Sequence, residues 1–244
     1  MTPLTRFGET MAREPARRPR LTDRDFQIFE HLARYRLTTP EILHRLFFSD
    51  SKINAVTKVT SRLAEHGFLN SYDLYGSRIY HKIGPNAAKW MGISQNRTKG
   101  FGRQALVQEY GALEFCCGGE ELRKRLLVRE IQQKDPDLLA AKVESNRYYL
   151  DRHDGEHLLG FMRVDFCGEL PNLIDGLRGE VDRRYKHEAF RKLIDARRFL
   201  IAVVTVSEER KEEIRLALRR RQWPVPFRIE VVPNLIHLIA RFQK

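Results

Sequence analysis

The chemistry most legible in this chain is concentrated in one segment. Lys52, Asn54, Lys58, Ser61 and Arg62 recur at spacings that gather them on one face of a helix, with Thr57 at its margin. Ile53, Val56, Val59, Leu63 and Ala64 fall on the opposite face, so the helix has an apolar side to dock by and a polar side to present. Lysine and arginine reach phosphates, while asparagine, serine and threonine offer short donors and acceptors to base edges. Arg78, His81 and Lys82 add a second basic group a few residues on. An ordinary amphipathic helix with a solvated face carries the same pattern, so the reading depends on the neighbouring elements.

Those elements have a definite order. Thr22 and Asp25 have the spacing of a capping box, and Phe26, Phe29, Leu32 and Ala33 follow at helical intervals. Thr39 and Pro40 open a second helix with Ile42, Leu43, Leu46 and Phe47 inside. Ser51 is placed to cap the third helix, and Gly67 stops it. Residues 68–72 and 78–83 read as strands around Gly76 and Ser77. Three helices and a hairpin form the order of a winged helix-turn-helix over 22–92, whose third helix enters a major groove of double-stranded DNA while the hairpin touches a neighbouring phosphate. Such readers often engage two half-sites, so a homodimer is expected, with helices over 104–115 or 120–133 as its possible seam.

The whole chain fits that partner. Forty-four Lys and Arg against 32 acids give a formal charge of +12 in 244 residues, which favours a polyanion without separating DNA from RNA. No apolar run is long enough to span a bilayer and no signal peptide is visible, so no membrane partner and a cytoplasmic location are expected. Cys116, Cys117 and Cys167 lack paired metal spacing and read as reduced thiols. Residues 1–21, with Arg6, Arg13, Arg17, Arg18 and Arg20, read as a basic flexible arm or a plain unordered terminus. Residues 84–92 read as a short helix whose Trp90 packs back on the first domain. Residues 93–102 read as a linker, and 93–141 as linker and helices.

From 142 to 244 the pattern becomes mixed α/β. Strands are expected over 143–150, 158–166, 177–185, 199–206 and 227–232, with a turn at His153-Asp154-Gly155. Helices are expected over 187–198, 208–221 and 234–242. This order resembles the core of the PD-(D/E)xK nuclease-like fold. The resemblance implies that an acid on each of two adjacent strands holds a divalent ion, with a lysine two residues after the second. Asp165 and Glu180 take the acid positions, and magnesium is the implied ion. Asp182 stands where the lysine belongs, so Lys186 or Lys192 would have to supply the cation. The same acids could instead pair with Arg163, Arg178 or Arg184 in a network that supports the fold.

Both halves together resemble the replication-relaxation proteins of plasmids and integrative elements. The resemblance rests on Leu21-Thr22-Asp23-Arg24-Asp25, Leu32, Tyr35 and Leu37-Thr38-Thr39. It continues through Arg62-Leu63, Gly67-Phe68-Leu69, Tyr80 and Gly84, then Asp165, Glu180-Val181-Asp182 and Lys192-Leu193. It implies an α+β chain of two domains, a winged helix and a degenerate nuclease-like unit. It further implies a role in replication, mobilisation or transcription regulation of a mobile genetic element. Three functions are therefore expected in competition: a sequence-specific DNA binder, a magnesium-dependent nuclease using Asp165 and Glu180, and an adaptor for an acidic protein. Phosphate-binding glycine loops, HExxH and zinc-finger spacings are absent from the sequence.

Overall fold

Thr22 and Asp25 form the capping box, each side chain meeting the other's backbone N–H, and start helix α1, Asp23–Tyr35. Thr39 caps α2, Pro40–Phe47, with Pro40 in its first turn. Helix α3 is Asn54–Glu65, but its N-cap is Ile53 rather than Ser51, and no side chain caps it. Ile53, expected inside, is 46% exposed for that reason: it precedes the helix and escapes its apolar face. Strands β1, Leu69–Asp73, and β2, Ile79–Ile83, pair antiparallel with Tyr72 opposite Tyr80. Ile28, Phe29, Leu32, Leu43, Val56 and Leu63 close the core beneath them. Gly84 is needed where the chain leaves β2, because a Cβ there would lie 2.4 Å from the Gly67 carbonyl oxygen.

The structure is a computed structural model that describes residues 20–120, 123–134, 136–141, 147–153 and 156–242. The arm over 1–19, the start of the strand expected at 143 and the Asp154-Gly155 turn lie outside the described residues. After the hairpin come α4, Pro85–Trp90, and α5, Arg103–Cys117. Trp90 does pack back, its ring 4.9 Å from Phe26, though 62% of it stays exposed. The expected linker over 93–102 is instead a strap against the hairpin. The Thr98 carbonyl accepts from the Tyr72 hydroxyl at 2.7 Å and Asn70 at 3.1 Å, and Arg97 donates to the Ala33 carbonyl at 2.7 Å.

A second sheet of five strands follows. They are β3, Lys124–Arg125; β4, Tyr148–His153; β5, Glu156–Val164; β6, Phe199–Thr205; and β7, Phe227–Val231. Their spatial order is the chain order, antiparallel through β5 and parallel from β5 to β7. Every residue of β6 is buried, because helices cover both faces. On one face α5 and α10, Leu235–Phe242, pack against Met162, Val164, Ala202 and Val204. On the other lie α7, Leu170–Tyr185; α8, Glu188–Asp195; and α9, Glu208–Arg219, against Phe161, Ile201 and Val203. Two expectations fail here. The helix expected over 120–133 is the short strand β3 followed by α6, Val128–Lys134. The strand expected over 177–185 is the second half of α7: Leu173, Ile174, Leu177, Val181 and Arg184 are buried at helical spacing, and the alternation of the shorter window was accidental. The architecture is mixed α and β, and no helix among the described residues is long and apolar enough to cross a membrane.

The two halves are not separated by a boundary at 92. One core joins Tyr35, Leu37, Leu74 and Tyr80 to Leu106, Tyr110, Leu113 and Leu235. At its centre Glu109 of α5 is 2% exposed and accepts from Arg36 at the end of α1 and Arg125 of β3, both at 2.6 Å. Arg125 also donates to the Tyr35 carbonyl at 3.1 Å. Truncating Glu109 leaves the Arg125 charge in the interior without its counter-ion, so Glu109→Ala is expected to cost about 3–5 kcal/mol in denaturant unfolding.

Two histidines give the fold an acid limit. Burial, with Arg34 adding to it, pushes the His31 pKa down to about 3; burial likewise takes His81 down to about 4, with Glu41 opposing. Both stay neutral when folded but take up protons near the ordinary histidine value when unfolded. Stability therefore falls as pH drops from 6.5 towards 4, by about 1.4 kcal/mol per pH unit for each histidine. His81→Asn should remove about half of that slope in unfolding curves run across this window.

Candidate nucleic-acid interface

The α3 face survives in part. Lys52, Asn54, Thr57, Lys58 and Ser61 are all exposed, and Val56, Thr60 and Leu63 are buried on the other side. The His44 ring meets the Ser51 carbonyl at 2.6 Å and fixes the turn that delivers this helix. Glu65 is the one exposed acid at the far end of α3. Arg62 does not belong to the open face. Its Nη2 lies 2.7 and 2.8 Å from the two oxygens of Asp25, which is 1% exposed. Burial acts to raise the Asp25 pKa, but hydrogen bonds from Arg62 and Thr22 outweigh it and hold the carboxyl below its ordinary range. Asp25 thus closes the α1 capping box and anchors α3 at once.

The hairpin cations are also corrected. His81 and Lys82 are buried, although neighbouring strand residues point to opposite sides. Strand β2 is covered on both: its far edge bridges Thr38, and the strap lies over one face. His81 Nδ1 meets the Ser71 hydroxyl at 3.0 Å. Lys82 donates to the Lys99 carbonyl and sits 3.6 Å from the centre of the Phe101 ring. Burial, aided by Arg36 and Arg97, lowers its pKa to about 8. Arg78, by contrast, is exposed as expected, beside the Tyr75 hydroxyl at 3.1 Å and Glu41 at 3.7 Å. The hairpin tip itself is tied down. Tyr75 stacks on His237 of α10 at 5.1 Å, and Arg241 donates to the Leu74 carbonyl at 2.5 Å.

The acids expected to share a site are not brought onto one strand face. Asp165, just beyond β5, is 2% exposed and accepts from Arg210 Nε at 2.9 Å, the Thr205 hydroxyl at 3.0 Å and the Cys167 N–H at 3.0 Å. Glu180 and Asp182 are helical, and a two-residue step turns about 200° around an α-helix. Glu180 points inward, 2.6 Å from Arg184, whose guanidinium lies 3.7 Å from the centre of the Phe161 ring. Asp182 points outward, 3.8 Å from Arg178. Lys192 is exposed and pairs with Glu188 at 2.8 Å. These residues do not fit a magnesium centre: guanidinium groups already neutralise both proposed ligands. Among the described residues no cluster of three His, Cys, Asp or Glu side chains is placed to hold a metal ion. The pairing of Glu180 with Arg184 and Asp182 with Arg178 is the fold-supporting alternative.

Arg20 belongs to the basic arm that the sequence offers to phosphates or a minor groove. It is exposed, and its carbonyl accepts from Arg62 Nη1 at 3.3 Å. No family model matches the chain, and no curated protein matches it.

Because Arg62 serves the fold, Arg62→Ala is expected to lower unfolding stability by about 1–3 kcal/mol, the range for a lost hydrogen bond to a charged, buried acceptor. Lys58→Ala, on the open face, should leave the same denaturation midpoint within experimental spread.

Proposed function

We propose that this protein binds double-stranded DNA, with the exposed face of α3 as its reading surface. The observation that carries the reading is the combination on one helix and its entry: Asn54, Thr57, Lys58 and Ser61 of α3 and Lys52 just ahead of it are open to solvent, with the opposite face in the core. The two lysines suit phosphates, and the short polar side chains suit base edges. The net charge of +12 supplies long-range attraction. In this reading residues 22–92 are a winged helix-turn-helix whose wing is turned inward against its own chain. The five-stranded unit keeps a PD-(D/E)xK-like shape for assembly rather than cleavage. With the resemblance to replication-relaxation proteins, the role proposed is a transcription regulator or accessory factor in replication or mobilisation of a mobile element.

Fluorescence anisotropy on a duplex from the region upstream of the gene tests this. If about five phosphates are neutralised, log Kd against log salt should have a slope magnitude near 4–5. Lys52→Ala with Lys58→Ala should reduce that slope by about two and weaken binding to all duplexes alike. Asn54→Ala should cost about 1–3 kcal/mol on the preferred sequence only. Binding that ignores both substitutions would show that α3 is not the reader. Intact DNA after incubation with magnesium is expected.

A further inference from the structure

Strand β7 is an open edge of the five-stranded sheet. The opposite edge is only two residues long, and Arg34 of α1 donates to its Arg125 carbonyl at 2.6 Å. All five residues of β7, by contrast, are partly exposed, and among the described residues β6 is its neighbour on one side and no strand lies on the other. The hydrogen bonds at its two ends fix which backbone groups look outward. Ile201 donates to the Pro226 carbonyl, and Val232 donates to the Thr205 carbonyl. In a parallel ladder this assigns the amides of residues 228 and 230 to β6. The N–H and C=O groups of Phe227, Ile229 and Val231 therefore face away from the sheet.

The strand reads Phe-Arg-Ile-Glu-Val, and this order is self-complementary. Placed antiparallel against a second copy and centred on Ile229, it sets Phe227 opposite Val231, Ile229 opposite itself, and Arg228 opposite Glu230. The outward-facing residues fall at the hydrogen-bonded positions. The charged residues fall at the non-hydrogen-bonded ones, where side chains approach most closely and opposite charges stabilise. Arg228 and Glu230 lie 3.5 Å apart within one chain and point to the same side of the sheet, where Glu230 also meets Arg123 at 2.6 Å and Arg228 meets Asp151 at 3.2 Å, a charge-balanced row. On the other side Phe227 and Ile229 line a groove with Leu218 and Trp223, rimmed by Lys211 and Arg215. Those two cations are paired along α9 with Glu208 at 3.0 Å and Glu212 at 2.6 Å, which limits repulsion between two copies.

We propose that two copies of this chain join edge to edge through β7, extending the sheet across a two-fold axis at Ile229. An extended peptide could meet the outward amides equally well, but the antiparallel register, which sets Phe227 against Val231 and carries the balanced charge row on across the axis with opposite signs facing, selects the same strand running the other way. Such a contact is isologous and closes on itself, so it yields a dimer rather than a fibre. The inference rests on the sheet alone and stands apart from the DNA reading.

Sedimentation equilibrium of the full chain tests it, without DNA. The expected result is twice the chain mass, returning to one chain mass in Ile229→Lys, which brings like charges together on the axis. Since Ile229 makes none of the β6 hydrogen bonds, that variant should keep its circular dichroism. Ile229→Cys in a Cys167→Ser background supplies a second readout. A hydrogen-bonded pair holds its Cα atoms about 5.5 Å apart, within disulfide reach, so mild oxidation should give a cross-linked dimer. Monomer at every concentration with no cross-link overturns the proposal and leaves the edge to a peptide partner. A dimer that survives Ile229→Lys and does not cross-link at 229 overturns it also, placing the contact on another face. Should Ile229→Lys fail to fold, the cross-link alone decides.

Discussion

Glu109 is the constraint on which the arrangement of this molecule depends. A carboxylate at 2% exposure is costly to bury unless its charge is met, and here it is met by arginines from opposite parts of the chain. Arg36 arrives from the end of α1 in the left-handed conformation, with φ of 70°. Arg125 arrives from the first strand of the large sheet. Moving α1 away from the sheet would take Arg36 from Glu109 and the Tyr35 carbonyl from Arg125. Tyr35 reinforces the tie, its hydroxyl donating to the Arg123 carbonyl at 3.1 Å.

That tie decides which surfaces remain for a partner. With α1 fixed to the sheet, the hairpin between them is sandwiched, and its cations are spent on the protein itself. Lys82 meets a carbonyl and an aromatic ring, and Tyr75 meets α10. Helix α3 gives only Val56, Thr60 and Leu63 to the interior, so its polar face stays open. Two basic groups close in sequence thus differ: His81 and Lys82 are buried against their own chain, and the α3 lysine faces solvent.

The sequence was most legible where structure is local. The Thr22–Asp25 box, the Thr39-Pro40 start, the hairpin about Gly76 and the strand 199–205 each follow from neighbours within a few residues. Legibility ended where long-range contacts decide. Nothing near His81 and Lys82 announces that a strap and Thr38 will bury them. Nothing near Arg62 announces that Asp25, 37 residues earlier, will claim it. The segment 177–185 failed for a different reason. Its window was too short to separate a period of 2 from 3.6, and Gly176 and Gly179 weakened the helical signal.

The acids of the second half show how a site-like composition can be structural. Asp165 terminates β5 at the end of the parallel strands, where open sheets usually place their chemistry. Its oxygens are instead turned to Thr205 at the neighbouring strand end, to the N–H of Cys167 and to Arg210 of α9, which also reaches the Gly168 carbonyl at 2.6 Å. One carboxylate thereby fixes the turn from β5 into α7 and the docking of α9. Glu180 does the equivalent one layer out, holding Arg184 against Phe161 and beside the Tyr148 hydroxyl at 3.0 Å. A guanidinium neutralises each acid through directional hydrogen bonds, so the charge that could have gathered a cation now locks helices to the sheet.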